Sequence, residues 1–458
     1  MKKIIQQSSI VFIAIAVFSL SSCEKDFLKE EVYTQYDPAT FLQTEQGINS
    51  VLVSSYSNMV VTANMRDRMY ILNEFAGDIM WAWGGSLETT TILFSSFNWD
   101  SQSTMFSNPW QQYYESIRNA NSLLDNIDKV SGLSADKLKQ YKAEARFIRA
   151  ADYYYLWELF GPVPLVTTTA ELNFEPLRAT DEEMNTFISS ELEAAANDLP
   201  LTQSLWGKAT KGAALGLLGK FYLNTRQWQK AADINKQVVD LNKYKLFSGD
   251  IKNMFAVQNE VNDEVVFTSP ALATIHSNTY MAHAFPPNYP IQSNWTNFGA
   301  QFCVYNNWVK TYNPSDKRLS WFLFNYTEPN GKVHDLLNSA DAGRAVRCFK
   351  YVPDPAGVGA NHGNDVPMIR YAEILLNRSE ALNELSGPNQ ESVDLLNLIR
   401  KRAGVPEYRV SDFSSKEALR DALLDERGWE FVAEGMRRMD LIRQGKLISK
   451  AMARGGAA

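Results

Sequence analysis

Apolar residues recur every three or four positions through much of the chain, and the strongest pattern runs from Lys142 to Pro164. Ala143, Phe147, Ala150, Tyr154 and Trp157 fall on one face of an α-helix, and Ile148, Ala151, Tyr155 and Leu159 form a second stripe beside it. A helix with two adjacent apolar stripes packs between neighbours. Arg149 and Asp152 have the spacing to pair along it. Gly161 and Pro162 end it. Further helical patterns span Pro38 to Met59, Pro109 to Val130, Asp181 to Asp198, Lys208 to Asn224, Gln227 to Asn242, Val366 to Leu385, Ser392 to Ala403 and Lys416 to Gln444. Thr180 and Glu183 form a capping box for the third of these. Ala213, Gly216, Tyr222, Trp228 and Ala231 alternate small and large residues across a close helix hairpin of tetratricopeptide type, and about four such pairs are expected along the chain. The fold class expected is mainly all-α: an irregular array of helix pairs with long aromatic-rich loops and minor short strands.

The helical period lapses in two regions, 60–108 and 246–365. The first carries Gly84-Gly85, a Ser/Thr-rich run to Thr91, and Trp81, Trp83, Phe94, Phe97 and Trp99 without period. The second holds one strand-like run, Asn262 to Phe267, and many aromatics set among Asn, Pro and Ser. Both read as long ordered loops, because their aromatic density opposes disorder.

Charge and composition narrow the function. The net charge is −7 over 458 residues, with no Lys/Arg-rich run, which speaks against nucleic acid as a partner. Aromatics make up 12% of the chain, more than a core needs, so some are expected at a surface. The N-terminus has the layout of a secretory signal over residues 1–22: Lys2 and Lys3, an apolar run from Ile10 to Phe18, then Leu20-Ser21-Ser22-Cys23. That ending is a lipobox, so Cys23 is expected to carry the lipid anchor and to begin the mature protein. Cys303 and Cys348 remain, and pairing and free thiols are equally open.

Four blocks of sequence resemble the SusD/RagB-like nutrient-binding lipoproteins. They are the lipobox with Asp26-Phe27-Leu28, Glu144 to Pro164, Asn364 to Leu376 (NDVPMIRYAEILL), and Glu426 through Arg443. The resemblance implies a single domain over 23–458, with a helical half at 23–245 and a second half at 246–458. It implies tetratricopeptide-like helix pairs with ligand-holding loops on one side. It also implies an outer-membrane location facing the cell exterior, a TonB-dependent SusC-like transporter as partner, and no enzymatic activity. Family members run on past the last helix, so a C-terminal packing segment is expected to be missing here.

The residues themselves favour binding over catalysis. No Gly-x-Ser-x-Gly or His-Glu-x-x-His is present. Gly212 to Lys220 imitates a phosphate loop but lacks its first Gly and its Ser/Thr. His276, His283, His334 and His362 read as exposed loop residues. No metal or cofactor is expected; calcium has no supporting EF-hand-like run. A sugar has an apolar face that stacks on aromatic rings and a polar edge that hydrogen-bonds to Asn, Asp, Gln or Arg. Two stretches offer that mixture, and the ligand-binding residues expected from them are Trp81, Trp83, Asn98 and Trp99 in the first and Tyr289, Trp295, Trp308 and Trp321 in the second. Arg66 and Arg68 lie just before the first. Most of these rings are expected to pin the loops to the scaffold and the rest to meet a glycan. The alternatives are a peptide-binding transporter partner, or an interaction scaffold that uses the concave helical face.

Overall fold

The computed structural model describes residues 38–60, 70–170, 175–299 and 301–454. The signal segment, Cys23, Asp26-Phe27-Leu28, Arg66 and Arg68 lie outside the described residues. Successive helices pack in chain order: α1 (Glu45–Val60), α2 (Gly85–Ser95), α3 (Thr104–Asn126), α4 (Ala135–Phe160), α5 (Asp181–Asp198), α6 (Lys211–Asn224), α7 (Trp228–Asp240), α8 (Tyr371–Ser386), α9 (Gln390–Ala403), α10 (Lys416–Phe431) and α11 (Arg437–Arg443). α1 packs on α3, α3 on α4, and so on to α9, with α2 alone standing outside the stack. The pairs α1/α3, α4/α5, α6/α7 and α8/α9 are the expected tetratricopeptide-like hairpins.

α4 is the central helix of that stack. Its two stripes are buried as far as Tyr155, with Trp157 and Leu159 half-buried at the C-terminal end, and Tyr153 and Tyr154 are buried completely. Ser134 caps its start and Gly161, at φ 70°, ends it. Arg149 does not pair along the helix. Its guanidinium donates to Glu191 on α5 at 2.5 Å and to Asn121 on α3 at 2.8 Å, tying three helices together. The capping box on α5 is present, with Glu183 N–H donating to Thr180 Oγ1 at 3.2 Å and Thr180 N–H to Glu183 Oε2 at 2.8 Å. The phosphate-loop imitation lies inside α6, largely buried, with Lys220 paired to Glu373 at 3.1 Å.

Three helical expectations change. Residues 85–95 form α2, whose Thr91 and Phe94 are buried, although Gly-Gly and a Thr run hide the period. The pattern at Val366 is a strand up to Arg370, and the helix starts at Tyr371. The run from Lys416 to Gln444 breaks at Val432–Met436, where Ala433 (φ 60°) and Gly435 (φ 73°) turn left-handed and send Glu434 inward.

The expected loops form a packed second layer. It is fastened by short antiparallel pairs among β1 (Met80–Ala82), β2 (Val265–Ser269), β3 (Phe302–Val304), β4 (Phe322–Leu323), β5 (Asn325–Thr327), β6 (Val333–Asp335), β7 (Arg347–Cys348) and β8 (Val366–Arg370). β1 pairs with β3, β2 with β8, β4 with β7 and β5 with β6. Tyr70, Phe75, Tyr280, Phe285, Phe302, Trp321 and Tyr351 form a core of their own beneath them. Three of the four His are buried here, against expectation, because each has a partner. His283 stacks on Phe302, His334 lies 2.7 Å from Glu328, and His362 accepts from the Asp354 N–H. Cys303 and Cys348 are buried and not joined in a disulfide, and burial pushes the Cys348 thiol up to about 11.

Buried charge joins the two layers. Arg370 pairs with Glu264 at 2.5 Å, Glu434 at 2.6 Å and Glu430 at 2.9 Å. Arg318 pairs with Asp316 and Glu426, both at 2.7 Å, and Lys350 with Glu434 at 2.5 Å. Arg402 bridges Glu264 and Glu430. Burial alone would raise the Glu430 and Glu434 pKa values, but the surrounding cations outweigh it and hold both below the usual carboxylate range. The blocks Asn364–Leu376 and Glu426–Arg443 are therefore the wiring of the scaffold.

Candidate ligand-binding surface

β1 carries the first aromatic stretch up to the second. Trp81 lies opposite Cys303, and the Trp83 N–H donates to the Gln301 carbonyl at 3.2 Å. Gly84 and Gly85 follow at φ 77° and 67°, a conformation that suits glycine and turns the chain at once into α2. The half-buried Trp83 ring packs on the backbone of Gly343, where an added methyl would sit 2.5 Å from the indole.

Arg344 continues from that point into a polar cluster. Its guanidinium donates to the Tyr326 hydroxyl at 2.8 Å, pairs with Asp341 at 3.2 Å and Glu328 at 3.4 Å, and stands 2.8 Å from the His334 ring nitrogens. Glu328 also accepts from Asn288 at 3.3 Å and Asn330 at 3.1 Å. Its partial burial would raise the carboxyl pKa, but the hydrogen bonds from Asn288, His334 and Asn330 prevail and hold it lower than usual. The Arg344 side chain is 20% exposed, so this cluster reaches solvent.

The same cluster leads to the second stretch. Tyr326 lies 5.7 Å from Tyr289, ring centre to ring centre. Phe285 is sandwiched between Tyr289 at 5.6 Å and Trp295 at 5.9 Å, both within 9° of parallel. Phe298, 42% exposed, packs 4.7 Å from the His283 ring, and His283 meets the Gln301 side chain beside Trp83. Trp83, Arg344, Tyr289, Trp295 and Phe298 thus belong to one continuous set of contacts.

Of the eight expected residues, this set includes Trp83, Tyr289 and Trp295. Trp81 lies beneath it, 7% exposed and stacked on Tyr305 at 5.9 Å. Asn98 and Trp99 are exposed but sit past the far end of α2, where Trp99 stacks on Phe94 at 6.1 Å. Trp308 is half-buried against Tyr312 and Phe322. Trp321 is a core residue with no exposed face: its indole N–H donates to the Ile251 carbonyl at 2.8 Å, and the Lys350 ammonium lies 4.2 Å over its ring. A sealed ring cannot stack on a sugar, so Trp321 leaves the candidate set, and Trp81 offers too little surface to stay in it. Sequence reasoning missed Arg344 and Phe298. Their places depend on β1 meeting β3 across more than two hundred residues, which no local pattern reports; an exposed Phe beside Gly299 in an Asn-rich stretch was the one available hint. Among the described residues no group of three or more His, Cys, Asp or Glu could hold a metal ion. Among them also, no helix is long and apolar enough to cross a membrane.

Residues 26–223 match the family model described as starch-binding and associating with the outer membrane, and residues 343–455 match that of the SusD family. The chain belongs to the SusD/RagB-like family. SusD-like protein P25 of Formosa agariphila is 25% identical to this SusD-like chain, over 96% of it and 90% of the relative. A SusD homolog from Bacteroides thetaiotaomicron superposes with a TM-score of 0.80 at 22% identity, over 92% of this chain and 90% of the other. Surface glycan-binding protein A from Bacteroides thetaiotaomicron, in complex with laminarihexaose, superposes with a TM-score of 0.74 at 19% identity, over 89% and 92% of the two chains. The helical scaffold expected from the sequence is the fold these proteins share.

Proposed function

We propose that this SusD-like chain is a lipid-anchored protein of the outer membrane, facing the cell exterior, that binds oligosaccharide or polysaccharide between Trp83 and Trp295 and delivers it to a TonB-dependent transporter. The observation that carries this reading is the contact set itself. Half-buried rings at both ends, Trp83 on one side and Tyr289 and Trp295 on the other, flank a group of hydrogen-bonding side chains in which Arg344 and Asn288 reach solvent and Glu328 lies beneath them. Rings suit the C–H faces of sugars, and the cluster between them offers donors and acceptors for hydroxyls. The family description as starch-binding and the laminarihexaose complex of a structural neighbour support the same ligand class. The lipobox at Cys23 supports the anchor.

The test is a binding screen of the mature protein against laminarin, laminarihexaose, starch and other polysaccharides, with a peptide library in parallel. At least one glycan should bind, and Trp83→Ala and Trp295→Ala should each weaken it about threefold to tenfold, the value of one aromatic contact. Binding of peptides alone, or both variants binding as wild type, rejects the reading.

A further inference from the structure

The loop between α5 and α6 forms an arch with a cleft of about 320 Å³ beneath it, and a second cleft of about 260 Å³ adjoins its other side. Trp206 stands on the arch, 39% exposed and outside both aromatic stretches. Its indole N–H donates to Asp365 Oδ2 at 2.7 Å, and the other oxygen of that buried carboxylate accepts from the Ala271 N–H at 2.8 Å. The ring is therefore held in one orientation. Gly207, at φ 82°, seats the arch against Pro270, where an added methyl would come within 2.2 Å of the proline ring. The arch is fixed from below as well, because Gln203 donates to the Ala209 carbonyl at 2.9 Å and Lys208 pairs with the buried Glu144 at 3.3 Å.

The larger cleft mixes an apolar wall, with Leu205, Val265 and Phe267, and a polar one. Beside Trp206 stand Gln203, Ser204, Thr210, Lys243 and Tyr244, with the Thr210 and Tyr244 hydroxyls 3.5 Å apart. A fixed, part-exposed indole beside hydroxyl, amide and ammonium groups recognises one apolar face and several hydroxyls at once. Its volume lies at the lower end of the range for ligand pockets, which suits a ligand of one or two sugar rings.

We infer that the cleft beneath Trp206 is a second saccharide-binding site, separate from the Trp83–Trp295 surface and sized for a mono- or disaccharide unit. Only the ligand class rests on the proposed function. Two separate sites would let one molecule hold a long glycan at two points, which raises retention without further contacts.

The test follows the indole N–H resonances of the mature protein while glucose, galactose, mannose and glucuronic acid are added in turn. The Trp206 resonance should move saturably with at least one of these sugars. Trp206→Phe, which keeps a ring but loses the bond to Asp365, should weaken that sugar about threefold to tenfold, read from the Ser204 and Lys243 amides. A Trp206 resonance unmoved by all four sugars overturns the inference. The Trp83 and Trp295 resonances report the loop surface independently, so either site can fail while the other stands.

Discussion

Trp321 and Trp83 are each a tryptophan set beside a cation in a field of acids, yet their surroundings are opposite. Trp321 lies under Lys350, which pairs with Glu434, and all three are sealed from water. Trp83 packs over Gly343, next to an Arg344 that reaches solvent and pairs with Glu328 and Asp341. The residue types are nearly the same; solvent access differs. A buried cation–acid set orients two layers against each other and is costly to break. The same set at a surface contributes little to stability, about 1 kcal/mol or less.

That contrast can be broken first at its stiffest point. Arg370→Met removes the cation shared by Glu264, Glu430 and Glu434, and urea denaturation should show a loss of about 3–5 kcal/mol from the stranded acids. Trp321→Ala should cost about 3–5 kcal/mol as a fully buried ring, with any loss of ligand following the loss of fold. Arg344→Ala, at the exposed counterpart, should change stability by about 1 kcal/mol or less.

Titration sharpens the comparison with a smaller effect. Burial raises the Glu158 carboxyl to about 7 and that of Glu74 to about 8. A raised folded-state pKa means that the stabilising contribution is complete below the ordinary carboxylate value and is lost as pH rises. The melting temperature should therefore fall as pH rises from the ordinary carboxylate value toward 7 and 8 and level off above, and Glu74→Gln should flatten the upper part of that fall. Asp440 behaves in the opposite sense. Burial would raise it, but Arg427 and Arg443 hold it at about 2, so its contribution is present above the ordinary value and is lost as pH falls toward 2.

The helical layer was legible because its determinants are local. The stripes of α4, its Gly161 stop and the capping box of α5 each lie within a few residues of what they specify. The loop layer was not, because its determinants are pairings at long range. Val366–Arg370 continues a helical pattern, yet it is a strand because β2 lies beside it and Arg370 must reach Glu264. Trp321, Trp308 and Trp83 look alike in sequence, and only the partner each one meets decides which is core. The surface was half legible for that reason: Trp83, Tyr289 and Trp295 come from the aromatic–polar mixture, whereas Arg344 and Phe298 come from the pairing of β1 with β3.

The central claim is that the half-buried rings gathered around Arg344, and not the fully buried rings of the loop layer, hold a glycan. Affinity electrophoresis of the mature protein through gels containing laminarin, starch or other polysaccharides tests it most directly, with wild type beside a Trp83→Ala/Tyr289→Ala double variant. Wild type should be retarded by at least one polysaccharide, and the double variant should be retarded clearly less, with an unchanged urea midpoint. Equal retardation of the two proteins, or free migration of wild type in every gel, would contradict the account.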